Sequence, residues 1–367
     1  MKIPYINLKK QSNEEEYQLI KIFKKNLALS EFINSKSVEK FEKKISEICK
    51  VKYCVALNSG TDALTMGLKL LEIKRGDEVI TPPNSFISST ASIVHIGATP
   101  VFVDIKKDQN IDEKKIAAKI TKKTKAIMPV HLTGRMCNMD EIIRIAKKYQ
   151  LKVIEDSAQS IMSKFNNKPS GSFGDVGCFS AHPLKNLNAL GDSGFMITNN
   201  SKIYEQAKTL RNHGSVERNI VKNFGYVSRM DTIQADILLY RIKKLKKIIL
   251  QRRKNFLIYK SNLNLSKDVY YPLENDKEFN TYHTFVIQVS QRDFLKKFLK
   301  KKGVETSIHY PVPIHLQPAS NYMGYKIGSF PETEKQSKEI LTLPINQYLK
   351  KNEILYICKL INQFYEN

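Results

Sequence analysis

Phe179-Ser180-Ala181-His182-Pro183-Leu184-Lys185-Asn186-Leu187, running on to Gly191-Asp192-Ser193-Gly194, is the stretch whose reading decides the fold. It closes a strand that reads as buried, sets one lysine in a tight polar turn, and follows the lysine with glycines. A lysine placed this way can form a Schiff base with an aldehyde cofactor. In a lysine-rich chain a lysine is ordinarily a solvated surface charge, so the assignment of Lys185 depends on what the flanking sequence brings to it.

Outward from that stretch, strands and helices alternate. Strands are expected at 51–57, 78–81, 100–104, 125–131, 152–156, 176–180 and 194–198. Helices are expected at 63–71, 86–96, 113–120 and 139–149. This alternation predicts an α/β fold with a mostly parallel sheet. In such sheets ligands sit beyond the carboxyl ends of the strands. Ser59 to Thr61, His131, Asp156 and Ser180 all fall at those ends. Before the alternation, residues 1–50 hold two helical patterns, the second with Val38, Phe41, Ile45 and Ile48 on one face. After it, 201–250 reads as mainly helical, with loops around His213 and Gly225. Beyond about residue 250 a strand at 283–289, a helix at 292–302 and two later helices read as a smaller α+β domain. The expected division is 1–250, a large cofactor-binding domain, and 251–367, a small one, with the N-terminal segment packing on the latter.

Composition narrows the function. The chain has 367 residues and is ordinary for a globular protein, at 41% hydrophobic and 26% charged. No apolar run approaches a membrane span. Its five cysteines are scattered, with no C-x-x-C pair, so neither a disulfide framework nor a metal site is expected and the reducing cytoplasm is the expected location. The formal charge of +24 is compatible with nucleic acid, a membrane surface or anionic small molecules, but a compositional bias toward Lys, Ile and Asn accounts for it. The charge is spread along the chain. Its densest run, Arg241-Ile242-Lys243-Lys244-Leu245-Lys246-Lys247-Ile248-Ile249, has the apolar spacing of an amphipathic helix. No basic stretch is interleaved with aromatics, which argues against a nucleic-acid partner.

The residues at the strand ends match the needs of pyridoxal phosphate. Its aldehyde needs a lysine, here Lys185. Its ring nitrogen needs a carboxylate to stay protonated, and Asp156 ends a strand on which Glu155 points to the other face. Its phosphate needs amides and hydroxyls at a helix start, which Gly60 and Thr61 supply, Thr61 and Asp62 reading as cap and first-turn residues. Ser180 adds a third contact. Phe86 is placed to stack on one ring face, and Gln159 to meet the ring hydroxyl or the other face.

These blocks resemble the DegT/DnrJ/EryC1/StrS family of pyridoxal-phosphate-dependent sugar aminotransferases. The resemblance runs through Asn58-Ser59-Gly60-Thr61-Asp62-Ala63-Leu64, Gly97-Ala98-Thr99-Pro100-Val101-Phe102-Val103-Asp104-Ile105 and Pro129-Val130-His131-Leu132-Thr133-Gly134. It continues through Glu155-Asp156-Ser157-Ala158-Gln159, Leu210-Arg211-Asn212-His213-Gly214, Gln234-Ala235 and His309-Tyr310-Pro311, and ends at His315-Leu316-Gln317-Pro318-Ala319. It implies a fold-type I aminotransferase, a homodimer with shared active sites, in which Lys185 is Schiff-base lysine and proton shuttle. It implies L-glutamate as donor, pyridoxamine 5'-phosphate as the intermediate cofactor form, and a keto-sugar acceptor, nucleotide-linked. The product would enter amino-sugar biosynthesis for a surface polysaccharide such as lipopolysaccharide O-antigen. His182, Arg229, His309, Tyr310 and His315 are the candidate substrate contacts.

Two positions depart from the family pattern. Val227 stands where the family often has an asparagine reaching the neighbouring subunit's phosphate, and Ser193 stands where it has glycine. The alternative acceptor is a nucleotide-free or CMP-linked 3-deoxy-octulosonate-type sugar. The rival activities are the sugar dehydratases of the same fold, in which a histidine replaces the lysine, and a regulatory or binding protein that kept the fold. Lys185 and Asp156 argue against both.

Overall fold

A strand buried on both faces is apolar through its interior, and seven strands of this chain bury most of their length this way. In the computed structural model, which describes residues 2–366, they are β1 (Tyr53–Leu57), β2 (Glu78–Thr81), β3 (Thr99–Phe102), β4 (Thr124–Ile127), β5 (Lys152–Asp156), β6 (Val176–Ser180) and β7 (Gly194–Thr198). They form one sheet in the order β1-β7-β6-β5-β4-β2-β3. All neighbours from β6 to β3 are parallel, and β7 runs antiparallel to both β1 and β6. The architecture is α/β with a mostly parallel mixed sheet.

Helices cover both faces. They are α1 (Leu8–Leu29), α2 (Lys36–Cys49), α3 (Gly60–Leu70), α4 (Ile87–His95), α5 (Met139–Lys148), α6 (Ser201–Leu210) and α7 (Thr232–Asn262). Alternate residues of β1 enter different cores. Val55 and Leu57 pack with Ala63, Leu64 and Leu68 of α3. Cys54 and Ala56 pack with Phe41 and Ile45 of α2 and with Leu238 and Leu245 of α7. The strand ends are shorter than the sequence suggested. The strand expected over 125–131 is regular only over Thr124–Ile127, but pairing runs on past it: Met128 N donates to Ile80 O, and Val130 bridges Asp156 at the end of β5.

The C-terminal part has its own sheet, β8 (Val269–Tyr270), β9 (Phe285–Val289) and β10 (Ile340–Leu343), antiparallel in that order. With α8 (Arg292–Lys301) and α10 (Lys351–Glu366) it surrounds a core of Ile287, Leu295, Leu299, Leu341, Ile357 and Ile361, while α9 (Pro331–Glu339), which leads into β10, buries polar residues. Ile3 enters this core and bridges Val304. Helix α7 is continuous across residue 250. Its first half feeds the core under β7, and Phe256 and Tyr259 feed the C-terminal one. Strands β8 and β10 were not expected from sequence. The first has two residues, and the second follows α9 with no glycine or proline between them. The hairpin Ser215–Glu217/Ile220–Val221 lies in a stretch read as helix and loop.

One carboxylate fixes the floor of the large sheet. Glu155 is fully buried and accepts hydrogen bonds from the amides of Gly171 (2.9 Å), Phe173 (2.6 Å) and Gly174 (2.7 Å). Its Oε2 also lies 2.9 Å from His131 Nε2. His131 Nδ1 accepts from the Cys137 amide, so Nε2 carries the proton and donates to Glu155. His131, expected among the strand-end residues that serve a ligand, is therefore turned to the other side of the sheet as Glu155's partner. Glu155→Ala leaves three buried amides without an acceptor. We expect it to lower unfolding stability by about 3 kcal/mol or more, measured by urea unfolding, with Glu155→Gln recovering part of the loss.

Candidate active site

Beyond the carboxyl ends of β1, β5 and β6, at the junction with the C-terminal sheet, lies a cavity of about 290 Å³. Three parts of its wall follow from local sequence.

The first is the start of α3. Ser59 is the cap, its Oγ accepting from the Asp62 amide at 3.0 Å, and Ser59 O accepts from Ala63 N. Thr61, expected as the cap, lies within the first turn, and its Oγ1 donates to Ser88 Oγ at 2.9 Å. The amides of Gly60 and Thr61 have no intrahelical acceptor, and both residues line the cavity. Two glycines permit this arrangement. A Cβ on Gly60 would lie 2.8 Å from Ser180 Cβ, and one on Gly194 only 2.2 Å from the carbonyl carbon of Ser59.

The second is Asp156, buried at the end of β5. Ser89 Oγ donates to its Oδ2 at 2.6 Å, and the Ala158 amide to its Oδ1 at 3.1 Å. The third is Lys185. Burial pulls its amine down from the usual lysine range to about 8, with the charge of Asp156 opposing the shift. Around them, burial and the Lys185 charge push His309 down to about 4. His283 is held well below the ordinary histidine range by burial, reinforced by the charges of Lys185, Arg252, His309 and His182. Both imidazoles are neutral at pH 7. Gln159 is fixed by accepting from the Thr133 amide at 2.8 Å, and Phe86 and Tyr310 have ring centroids 5.9 Å apart.

This donor set fits pyridoxal phosphate. Two amides without acceptors stand at a helix start, a carboxyl group accepts from two donors, and an amine is lowered toward its uncharged form. The buried Ser193 Oγ on the cavity wall has no hydrogen-bond partner among the described residues. Among the described residues no cluster of three or more His, Cys, Asp or Glu could hold a metal, and no helix is long and apolar enough to cross a membrane.

The cavity brings together Gly60, Thr61, Phe86, Asp156, Gln159, Ser180, His182, Lys185, His309 and Tyr310. Arg229 and His315, expected as substrate contacts, do not line it. Arg229 Nη1 donates to Asn212 Oδ1 at 2.8 Å, and His315 is buried with Nε2 3.1 Å from Glu334 Oε1. Val227 bridges Asn212 and is exposed. Tyr5, Ser88, Ser89, Ser193, His283 and Thr284 were not foreseen as site residues. Ser89 had a signal, since it lies three residues after Phe86 on the same helix face. Tyr5, His283 and Thr284 arrive from distant sequence and had none.

The lowered Lys185 amine makes a titration testable. With its pKa at about 8 rather than 10.5, the free base accumulates as pH rises through 8. In the cofactor-free protein, the rate of Lys185 acylation by an amine-reactive reagent, followed by peptide mass spectrometry, should level off near pH 8 to 9. Surface lysines should still be gaining reactivity at pH 10.

Comparison with known proteins gives a consistent picture. The profile described as DegT/DnrJ/EryC1/StrS aminotransferase family matches residues 13–362. The chain is 38% identical over 370 residues to a protein of Geobacillus stearothermophilus named pleiotropic regulatory protein, covering 100% of both chains. It is 37% identical to the dTDP-3-amino-3,6-dideoxy-alpha-D-galactopyranose transaminase of Aneurinibacillus thermoaerophilus, covering 99% of each. The solved structure of S. venezuelae DesV, in complex with a ketimine intermediate, superposes with a TM-score of 0.97 at 31% identity, over 100% of this chain and 99% of that one.

Proposed function

The chain belongs to the DegT/DnrJ/EryC1/StrS aminotransferase family, and from that premise we propose that it moves an amino group from L-glutamate to carbon 3 of a nucleotide-linked keto-sugar. It is a pyridoxal-phosphate-dependent sugar aminotransferase. The observation that carries the finer reading is the cavity's pairing of the lowered Lys185 amine with Asp156, which accepts from Ser89 Oγ and the Ala158 amide. The choice of carbon 3 rests on the name of the A. thermoaerophilus relative, whose product carries its amino group there. The chain's charge of +24 suits a diphosphate-bearing substrate.

In this reading Gly60 and Thr61 hold the cofactor's phosphate with their amides, and Ser180 adds its hydroxyl. Asp156, positioned by hydrogen bonds from Ser89 and Ala158, holds a proton on the ring nitrogen. When bound, the cofactor supplies an aldehyde carbon that carries the migrating nitrogen and a ring that accepts electrons. Lys185 Nζ takes the α-proton of the donor as a general base, and in the second half-reaction delivers a proton to the sugar carbon that gains nitrogen. Phe86, Gln159 and Tyr310 frame the ring. The neutral His309 and His283 offer uncharged partners to the sugar, and His182 lies beside them on the cavity wall.

We further propose a homodimer in the cytoplasm, its product destined for a surface polysaccharide. The dimer is supported by apolar side chains left exposed beside the cavity, Phe86, Leu184 and Leu190, and by the exposed Val216, Ile220, Val221 and Phe224 around the hairpin. It is also supported by charge, because Lys185 is the only lysine or arginine among the described residues that line the cavity. A nucleotide diphosphate and a dicarboxylate donor require further cations, which a second copy would bring. Residues 1–250 would then form the cofactor-binding unit and 251–367 the smaller one.

The test is a pair of half-reactions. The pyridoxal-phosphate-loaded enzyme with L-glutamate should release one equivalent of 2-oxoglutarate per site, and Lys185→Ala should slow this by at least about a thousandfold. The resulting pyridoxamine form should then convert dTDP- or UDP-linked 3-keto-sugars to products in which nitrogen has replaced the keto oxygen. No 2-oxoglutarate from wild type overturns the donor assignment. A sugar that loses oxygen without gaining nitrogen identifies a dehydratase instead.

A further inference from the structure

We propose that the Ser193 hydroxyl is a further ligand of the cofactor's phosphate group. This rests on the reading of the cavity as a pyridoxal phosphate site and names a contact within it.

Ser193 is 1% exposed, and its Oγ is buried without a hydrogen-bond partner among the described residues. Buried hydroxyls in folded proteins are ordinarily bonded, so an orphan on a cavity wall marks a place where a ligand completes the set. Its backbone cannot move to relieve it. Ser193 O accepts from the Ala181 amide at 2.8 Å, and the next residue, Gly194, is paired with Ser180 in the sheet.

The position of that backbone selects the phosphate. A Cβ on Gly194 would lie 2.4 Å from Gly60 N, so the Ser193-Gly194 step is pressed against the amide that opens α3. Ser193, next to Gly194, lines the same cavity as Gly60 and Thr61, whose amides open an eleven-residue helix without an intrahelical acceptor. The neighbouring hydroxyls are partly committed. Thr61 Oγ1 donates its proton to Ser88 Oγ, and Ser180 Oγ accepts from the His182 amide at 3.3 Å. Ser193 Oγ alone among these is unengaged. A phosphate dianion offers three acceptor oxygens, and the hydroxyl of Ser193 can donate to one of them.

The test compares pyridoxal phosphate with pyridoxal, which lacks the phosphate. Binding of each to the cofactor-stripped full-length chain is measured by equilibrium dialysis at fixed salt, for wild type and Ser193→Ala. The 31P resonance of pyridoxal phosphate is recorded on the loaded proteins. A hydrogen bond to a charged phosphate predicts that Ser193→Ala weakens pyridoxal phosphate by about tenfold to a hundredfold. Pyridoxal binding should be unchanged, and the 31P resonance should move. Ser193→Gly removes the same hydroxyl and replaces the alanine variant if that variant loses its fold. Equal binding of pyridoxal phosphate by variant and wild type overturns the proposal. An equal loss for both ligands also overturns it, since that would be a packing effect. If wild type binds pyridoxal but gains nothing from its phosphate, the contact is wrong while the site stands; if wild type binds neither, the cofactor reading itself fails.

Discussion

The site depends on a contact between two backbones that only glycine allows. The Ser59-Gly60 peptide lies against the Gly194 end of β7 and the Ser180 end of β6, at distances where any Cβ on Gly60 or Gly194 would clash with main chain or with Ser180. That contact carries the first turn of α3 to the mouth of the sheet, with its unbonded amides on the cavity wall. The same two strand ends flank the turn that carries Lys185. The phosphate cradle and the lysine are thereby held at a fixed separation by the sheet rather than by flexible loops.

Two adjacent carboxylates divide the labour of β5. The pleat sends Glu155 to one face, where three loop amides and His131 consume its acceptor capacity. It sends Asp156 to the cavity, where among the described residues Ser89 and the Ala158 amide bond its carboxyl group and the rest of its capacity faces the ligand. The first is a structural anchor and the second is left underused, as a ring-nitrogen partner has to be. Lys185 is held in a comparable imbalance. Burial works against its charge while Asp156 supports it, and the amine is consequently poised near the pH at which it must exchange protons.

Much of this was legible in the sequence, for reasons that also explain what was not. The strands of the parallel sheet announce themselves because burial on both faces demands continuous apolar runs, as in Tyr53–Leu57 and Val176–Ser180. The order of strand-end residues then placed Gly60, Asp156, Ser180 and Lys185 at one edge. Caps and registers were less legible. Ser59 rather than Thr61 caps α3, because the start is set by where β1 releases the chain. His131 sits at a strand end yet faces Glu155, because side chains alternate faces and its neighbour Val130 takes the cavity side. Strands β8 and β10 are too short, or too close to a helix, to show a period. Tyr5, His283 and Thr284 reach the cavity only through packing of the C-terminal sheet, which no local pattern encodes.

The most direct measurement of the central claim is the location of the covalently held cofactor. The pyridoxal-phosphate-loaded protein is reduced with borohydride, digested, and read by peptide mass spectrometry, with and without prior exposure to L-glutamate. The account predicts a pyridoxyl adduct confined to the peptide containing Lys185, and its disappearance after glutamate treatment. An adduct on another lysine, or one at Lys185 that glutamate leaves intact, would contradict it.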